Sequence, residues 1–406
     1  MTHHRFSRRA VLGGMGALGA GALARPRSAR AQAHPVRIGV LMDAAGFSAD
    51  LGGPGSVAAA RMAVQDFGGT VLGLPVEILH ADTLNKADVA GAIARKWYDS
   101  GVDAIVDLPV TPVAAAVQQI AREKERTVMI TAAALTDFTA RTCSPFSTHW
   151  ADDVHSLVKG TAGGLIGKGR KTWFFITVDY SFGKSLQSEA TAAIEAAGGK
   201  VVGGSAFPLG STDFSSQLLN AQASGADVIG LAAVGQDQVN LIKQAGEFGL
   251  LAGGKRTMAG FIVYLTDVHA LGLNAAQGLV FTTGFDWAQS EQSRAFAKRF
   301  SAERKAMPTK NQAGVYAATL HFLRGVQQAG TRDALAVNKA MRSMPVENFG
   351  RPTTVREDGR VLYDLTLYRV KTPSESKAPW DYCQEIGTIG PGEAFLPVRP
   401  TCRMPA

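Results

Sequence analysis

The chain has 406 residues, 42 Lys and Arg against 34 Asp and Glu for a formal +8, and three cysteines. That length exceeds what one hydrophobic core usually holds, so two domains are expected, and three cysteines exclude a disulfide scaffold or a CxxC-type zinc site. Residues 1–33 hold six arginines and no carboxylate, which leaves 36 basic against 34 acidic side chains, or +2, for the rest and removes the case for a nucleic-acid partner.

The first segment, "GGMGALGAG", contains the G-x-G-x-x-G spelling of a dinucleotide-binding turn. The spelling carries meaning only between a strand and a helix, and what precedes it, "MTHHRFSRRAV", has no strand pattern. A basic head, a short apolar run from Val11 to Ala24 and the A-x-A of Ala31 to Ala33 are the layout of an export signal, cleaved after Ala33. The pair Arg8-Arg9 resembles a twin-arginine signal, with departures from the usual pattern at Val11 and Gly13. The apolar run is short for a bilayer span. A soluble protein exported to the periplasm by the twin-arginine machinery is the expectation.

Next, "VRIGVLM" reads as a buried strand and "SVAAARMAVQDF" as a helix with Ser56 at its N-cap. Strand "VEILHA", helix "ADVAGAIARKWYDS", strand "DAIVDL", helix "PVAAAVQQIAREKE" with Pro112 in its first turn, and strand "TVMIT" follow. The cycle restarts after residue 150 with "TWFFITV", "SLQSEATAAIEAAGG", "KVVGGSAF", "DFSSQLLNAQASG", "DVIGLAA" and "QVNLIKQAGEF". Short apolar strands alternating with longer helices predict two doubly wound parallel sheets, an α/β architecture. Beyond "QGLVFTTGF" come helices "SEQSRAFAKRFSAERKA", "NQAGVYAATLHFLRGVQQAG" and "RDALAVNKAMRSM". "VLYDLTLYRV" alternates with period two, as an antiparallel edge strand does.

In an oxidising compartment the simplest outcome for Cys143, Cys383 and Cys402 is one bridge and one thiol. Three pairings are open. Cys143 with Cys402 is favoured, because it would pin the tail "PGEAFLPVRPTC" to the body; the Cys383 pairing stays open.

The order of elements, with "VRIGVLMDAAGFSADLGGPGSVAAARMAV", "TPVAAAVQQIA", "TWFFITVDYSFG" and "DFSSQLLNAQASGADVIGLAAVGQD", resembles the periplasmic solute-binding proteins of the leucine/isoleucine/valine (type I) family over the whole chain after the signal. "CSPFSTHW", "MPTKNQAGVYAATLHFL" and "SESKAPWDY" are similar to its branch associated with aromatic acids and related small carboxylates. The resemblance implies two lobes joined by a hinge of three crossovers, lobe 1 being 36–150 plus 284–345 and lobe 2 being 151–283 plus 346–406. It also implies a small-molecule ligand in the cleft, an ABC-transporter permease as partner, a monomer, no cofactor, no metal and no catalytic residue.

In open α/β sheets ligands bind outside the carboxyl ends of the strands. There the loops "DAAGFSAD", "DTLNKAD", "LPVTPVA", "TAAALTD", "VDYSFG", "AAVGQD" and "GFDWAQS" supply the candidate contacts. Phe47, Tyr180, Phe182, Phe285 and Trp287 are suited to enclose a flat or aliphatic group. Ser48, Thr83 and Thr111 are suited to a carboxylate, aided by helix N-termini, and Ala133 offers backbone groups. Asp237 and Asp286 suit a ligand ammonium, or cap a helix. Trp150 lies at the first expected crossover, where a hinge role competes with contact; Phe182 and Trp287 have the rival role of packing under their loops. Pro112 supplies no donor, and Ala132 to Ala134 leave only backbone groups in the next loop, which weakens a plain leucine-type reading.

The competing class is an exported α/β enzyme acting on a small organic acid. It would need a Ser–His–acid set or a metal pair, and neither a G-x-S-x-G elbow nor H-E-x-x-H occurs. "GGLIGKG" imitates a P-loop but lacks the Ser or Thr, at Gly169, and precedes its strand.

Overall fold

The computed structural model describes residues 34–251, 254–402 and 404. The expected signal over 1–33, with Arg8, Arg9 and the cut after Ala33, lies outside them.

From the N-terminal side run β1 (Val36–Met42), α1 (Gly53–Phe67), β2 (Thr70–Val71), β3 (Leu74–Asp82), α2 (Ala87–Asp99), β4 (Ala104–Asp107), α3 (Thr111–Glu123), β5 (Thr127–Ile130) and β6 (Ser147–His149). They form a six-stranded sheet of order β2-β3-β1-β4-β5-β6, parallel from β3 onward. Side-chain alternation along β1 explains its double covering. Val36, Ile38, Val40 and Met42 face a core shared with α1, while Leu41 faces the core of α2 and α3.

The second sheet is built after α4 (Val154–Gly167) from β7 (Thr172–Val178), α5 (Ser181–Ala196), β8 (Lys200–Phe207), α6 (Ser215–Ala223), β9 (Val228–Ala232), α7 (Gly235–Glu247), β10 (Thr257–Gly260), α8 (Leu265–Leu271), α9 (Leu273–Ala276) and β11 (Val280–Thr283). Here too parity divides the faces: Phe174, Ile176 and Val178 join the core under α6 and α7, and Trp173 and Phe175 the core under α4 and α5. The chain then returns to the first sheet with α10 (Glu291–Arg304), α11 (Lys310–Ala329) and α12 (Ala334–Ser343), whose Phe296, Phe322 and Met341 share the core of α1. A small ribbon of β12 (Thr354–Val355) and β13 (Val361–Leu362) precedes β14 (Leu365–Val370), β15 (Cys383–Ile389) and α13 (Pro391–Ala394). The second sheet has the order β15-β14-β11-β10-β9-β7-β8.

Several expectations need correction. Helix α1 begins at Gly53, so Ser56 is a buried interior residue and not the N-cap; Pro54 stands in the first turn, where its fixed φ suits a helix start. The period-two segment becomes β14, antiparallel to β11, but it is not the edge, because β15 pairs outside it. Val346, Phe349, Val355 and Val361 pack into the core shared with α1, α10, α11 and α12. "GGLIGKG" lies across the end of α4. A Cβ on Gly160 would lie 2.7 Å from Thr282 Cγ2, and one on Gly164 2.5 Å from Leu367, so small residues let this helix sit close on the sheet. Cys143 and Cys402 are bonded to each other, and Cys383 is free.

Candidate functional site

Strand order reverses direction between β1 and β4 in the first sheet and between β7 and β9 in the second, which places a crevice at each switch point. The loops and helix starts following those four strands carry Phe47, Ser48, Thr111, Tyr180, Phe182 and Asp237.

In the first lobe, Asp43 organises the loop after β1. Its carboxylate accepts hydrogen bonds from the Gly46 N–H (2.6 Å), the Ser48 N–H (2.9 Å) and hydroxyl (2.7 Å), and Asn85 Nδ2 (2.6 Å). Burial alone would raise its pKa, but these donors outweigh burial and hold it below the ordinary value. Ser48 is thereby turned inward, 4% exposed, while Phe47 at the loop tip is 74% exposed. Thr83 is buried, its hydroxyl accepting from the Asn85 N–H at 3.2 Å. Thr111 is exposed at the first residue of α3. Ala133 is buried, and its carbonyl accepts from His149 Nε2 at 2.8 Å.

Asp107, the last residue of β4, is fully buried at φ +87°. Burial, opposed by the Ser56 hydroxyl and aided by the Asp43 charge, raises its pKa to about 7. A side chain on Gly52 would approach its carboxylate to 3.0 Å, which accounts for glycine there.

In the second lobe, Tyr180 stacks on Phe182, with ring centroids 5.9 Å apart, and stays partly exposed at the N-cap of α5. Phe182 packs against both cores of its lobe. Asp237, in the first turn of α7, accepts from the Gly210 N–H at 3.0 Å.

The lobes meet where sequence reasoning found no signal. Lys310, in the first turn of α11, lies 3.2 Å from Asp152 Oδ2 and 5.0 Å from the centre of the Tyr264 ring, which projects from the loop after β10. The Tyr264 hydroxyl is 3.5 Å from Asn311 Oδ1, and the Asp107 and Asp152 charges add to the burial that raises its pKa. The loop after β10 thus meets the first turn of α11. Asp152 gathers all three crossovers. It belongs to the first, accepts from the Gly284 N–H of the second at 3.0 Å, and from the Tyr363 hydroxyl of the third at 2.9 Å. Burial would raise its pKa, but the Lys310 charge and these donors bring it below the ordinary value.

Two cavities flank Lys310 and Phe285. One is lined by Tyr264, Thr283, Asp286 and Trp287; the other by Thr131, Trp150, Asp152 and Tyr363. Trp150 is buried and donates from its indole N–H to Thr148 Oγ1 at 2.8 Å, so it packs in the hinge. Burial raises Asp286 to about 6, against the Ala288 N–H it accepts. Trp287 donates to the Trp380 carbonyl at 3.0 Å. Among the described residues no group of three or more His, Cys, Asp and Glu is arranged to hold a metal, and no helix is long and apolar enough to cross a membrane.

Comparison with known proteins agrees with this geometry. A periplasmic binding protein from Burkholderia mallei is 41% identical, covering 90% of this chain and 97% of its own, with a TM-score of 0.82. A branched-chain amino acid ABC transporter periplasmic ligand-binding protein from Burkholderia xenovorans is 38% identical, covering 91% and 100%, with a TM-score of 0.85. The Leu/Ile/Val-binding protein homolog 6 of Brucella melitensis is 26% identical over 70% of this chain and 74% of its own length. The fold is that of the type I periplasmic binding proteins. Residues 35–377 match the sequence profile of the periplasmic binding proteins, and the chain belongs to that family.

Proposed function

We propose that this protein is the solute-binding component of an ABC importer, exported to the periplasm, and that it holds a small carboxylate-bearing ligand, a branched-chain amino acid or an aromatic acid, between its lobes. The observation that supports the reading is the meeting of Tyr264 with the first turn of α11 beside three crossovers tied at Asp152. Phe47 and Thr111 from one side and Tyr180, Phe182 and Asp237 from the other are the contacts, with Phe285, Asp286 and Trp287 at the crossover end. Ser48, Thr83, Ala133 and Trp150 stand behind them and fix the loops. Ligand contacts made by both lobes favour the closed form, which a membrane permease reads. The protein acts as a monomer and does no chemistry on its ligand. Twin-arginine export and cleavage after Ala33 belong to the same reading.

A thermal-shift panel of leucine, isoleucine, valine, benzoate and 4-hydroxybenzoate on the protein lacking residues 1–33 tests it. A ligand near a hundred times its Kd adds about 2.7 kcal/mol of stability and raises Tm by several degrees. No shift with any of them, together with turnover of one, would replace this reading with that of an enzyme.

A further inference from the structure

The C-terminal segment has no part in the reading above, yet its path is specific. β15 ends at Ile389 on the outer side of the second sheet. The chain then lays α13 against α4 and buries Ala394 and Phe395 in a core that also holds Ile389 and Leu365 of the second sheet and Tyr363 of the third crossover. The Phe395 ring lies 4.3 Å from the guanidinium carbon of Arg360 and meets the Tyr363 ring edge-on at 5.4 Å.

Arg360 marks where the first and third crossovers touch. It is buried, hydrogen-bonded to His149 Nδ1 at 2.9 Å, donating to the Ala151 carbonyl at 2.5 Å, and 3.5 Å from Asp153. One residue past Phe395, the Leu396 carbonyl accepts from Arg356 Nη1 at 2.7 Å. Residues 397–401 then run exposed to Cys402, which is bonded to Cys143. Cys143 is firmly held in the first lobe: it is 1% exposed, and its carbonyl accepts from Arg122, in the last turn of α3, at 3.0 Å.

A segment that leaves one lobe's sheet, crosses the hinge and ends covalently on the other lobe behaves mechanically unlike a free tail. Extended chain reaches at most about 3.6 Å per residue, so the path from Ile389 to Cys402 sets an upper bound on the separation of β15 from Cys143. Pro397 and Pro400 stiffen it further.

We propose that residues 390–402 are a strap, a fourth and disulfide-anchored link between the lobes that limits how far the hinge turns. The inference rests on the reading that the lobes move about these crossovers. It assigns the Cys143–Cys402 bridge a role in conformation beyond its contribution to stability.

Electron–electron resonance distances across the cleft test it. Asp88 and Gln236, exposed in the first turns of α2 and α7, are each replaced by a ketone-bearing amino acid and spin-labelled without using cysteine chemistry. Three forms are compared: the natural strap, a strap lengthened by Gly-Ser-Gly-Ser-Gly-Ser between Val398 and Arg399, and Cys143→Ala with Cys402→Ala. The strap predicts a narrow distance distribution for the first and a broader one, displaced from it, for the other two. Identical distributions in all three, with only a lower Tm in the cysteine variant, would reduce the bridge to a staple and overturn the proposal. If the cysteine variant fails to fold by circular dichroism, the lengthened strap, which keeps the bridge, decides alone. Broadening in a protein that no panel ligand stabilises would sustain the strap and sink the binding reading; ligand stabilisation without broadening would do the reverse.

Discussion

At the residue scale, Asp107 shows how a cleft group can be energetically costly and still be kept. Its folded pKa of about 7 against an ordinary 3.8 means the native state holds a proton that the unfolded chain releases. Stability therefore falls as pH rises from about 4 to about 7. Asp107→Asn removes that dependence, so relative to wild type the variant should gain about 2–3 kcal/mol between pH 5 and pH 8; urea titrations at the two pH values measure it. An unchanged difference would mean that Asp107 is ionised in the native state. Asp152 should behave oppositely. Asp152→Asn leaves the buried Lys310 ammonium without its counter-charge and should cost about 3–5 kcal/mol; a loss under 1 kcal/mol would show the pair to be dispensable. Neither residue stood out in the sequence. Asp152 and Lys310 are far apart along the chain, and only the return of α11 to the first lobe brings them together. The aromatic and hydroxyl positions at strand ends were legible because the alternating pattern locates strand ends. Which hydroxyls turn inward was not, because Asp43 decides that for Ser48 through contacts made only in the folded loop.

At the element scale, the strands most readily read are those buried on both faces, such as "VRIGVLM" and "TWFFITV", whose observed bounds coincide with their apolar runs. β15 is harder to see: "CQEIGTI" has two polar residues together and Gly387 opposite Leu367, and it is a strand because β14 offers it an edge. Helix α4 is similarly obscure, since Gly160, Gly163, Gly164 and Gly167 argue against a helix while its packing against Thr282 and Leu367 requires small residues. Helix α11, by contrast, announces itself with a capping box. The Thr309 hydroxyl accepts from the Gln312 N–H at 3.3 Å, and Gln312 Oε1 accepts from the Thr309 N–H at 2.9 Å. Thr309→Ala should cost about 1–2 kcal/mol. Because the same turn places Lys310, the loss should appear both as a lower denaturation midpoint and as altered ligand affinity; a stability loss alone would separate the cap from the cleft.

At the scale of the whole molecule, two sheets and their crossovers make a cleft whose floor is set by topology and whose ends are set by tertiary contacts. The alternating pattern carried the α/β class and the doubling of the sheet; it did not carry the placement of 346–363, which has little regular structure and is held by scattered side chains such as Phe349 and Val361 and by the Gly359 carbonyl, which accepts from the His149 N–H. The bridge from Cys143 to Cys402 closes a long covalent loop, and by the chain-entropy account its removal should cost about 5 kcal/mol. A calorimetric titration into wild type and Tyr180→Ala, using whichever of leucine, isoleucine, valine, benzoate and 4-hydroxybenzoate gives the largest thermal shift, tests the central claim most directly. Saturable binding at one site, weakened about tenfold in the variant, which should still unfold at the wild-type temperature, is the predicted result. Equal affinity in both proteins, or no saturable heat from any of the five, would contradict it.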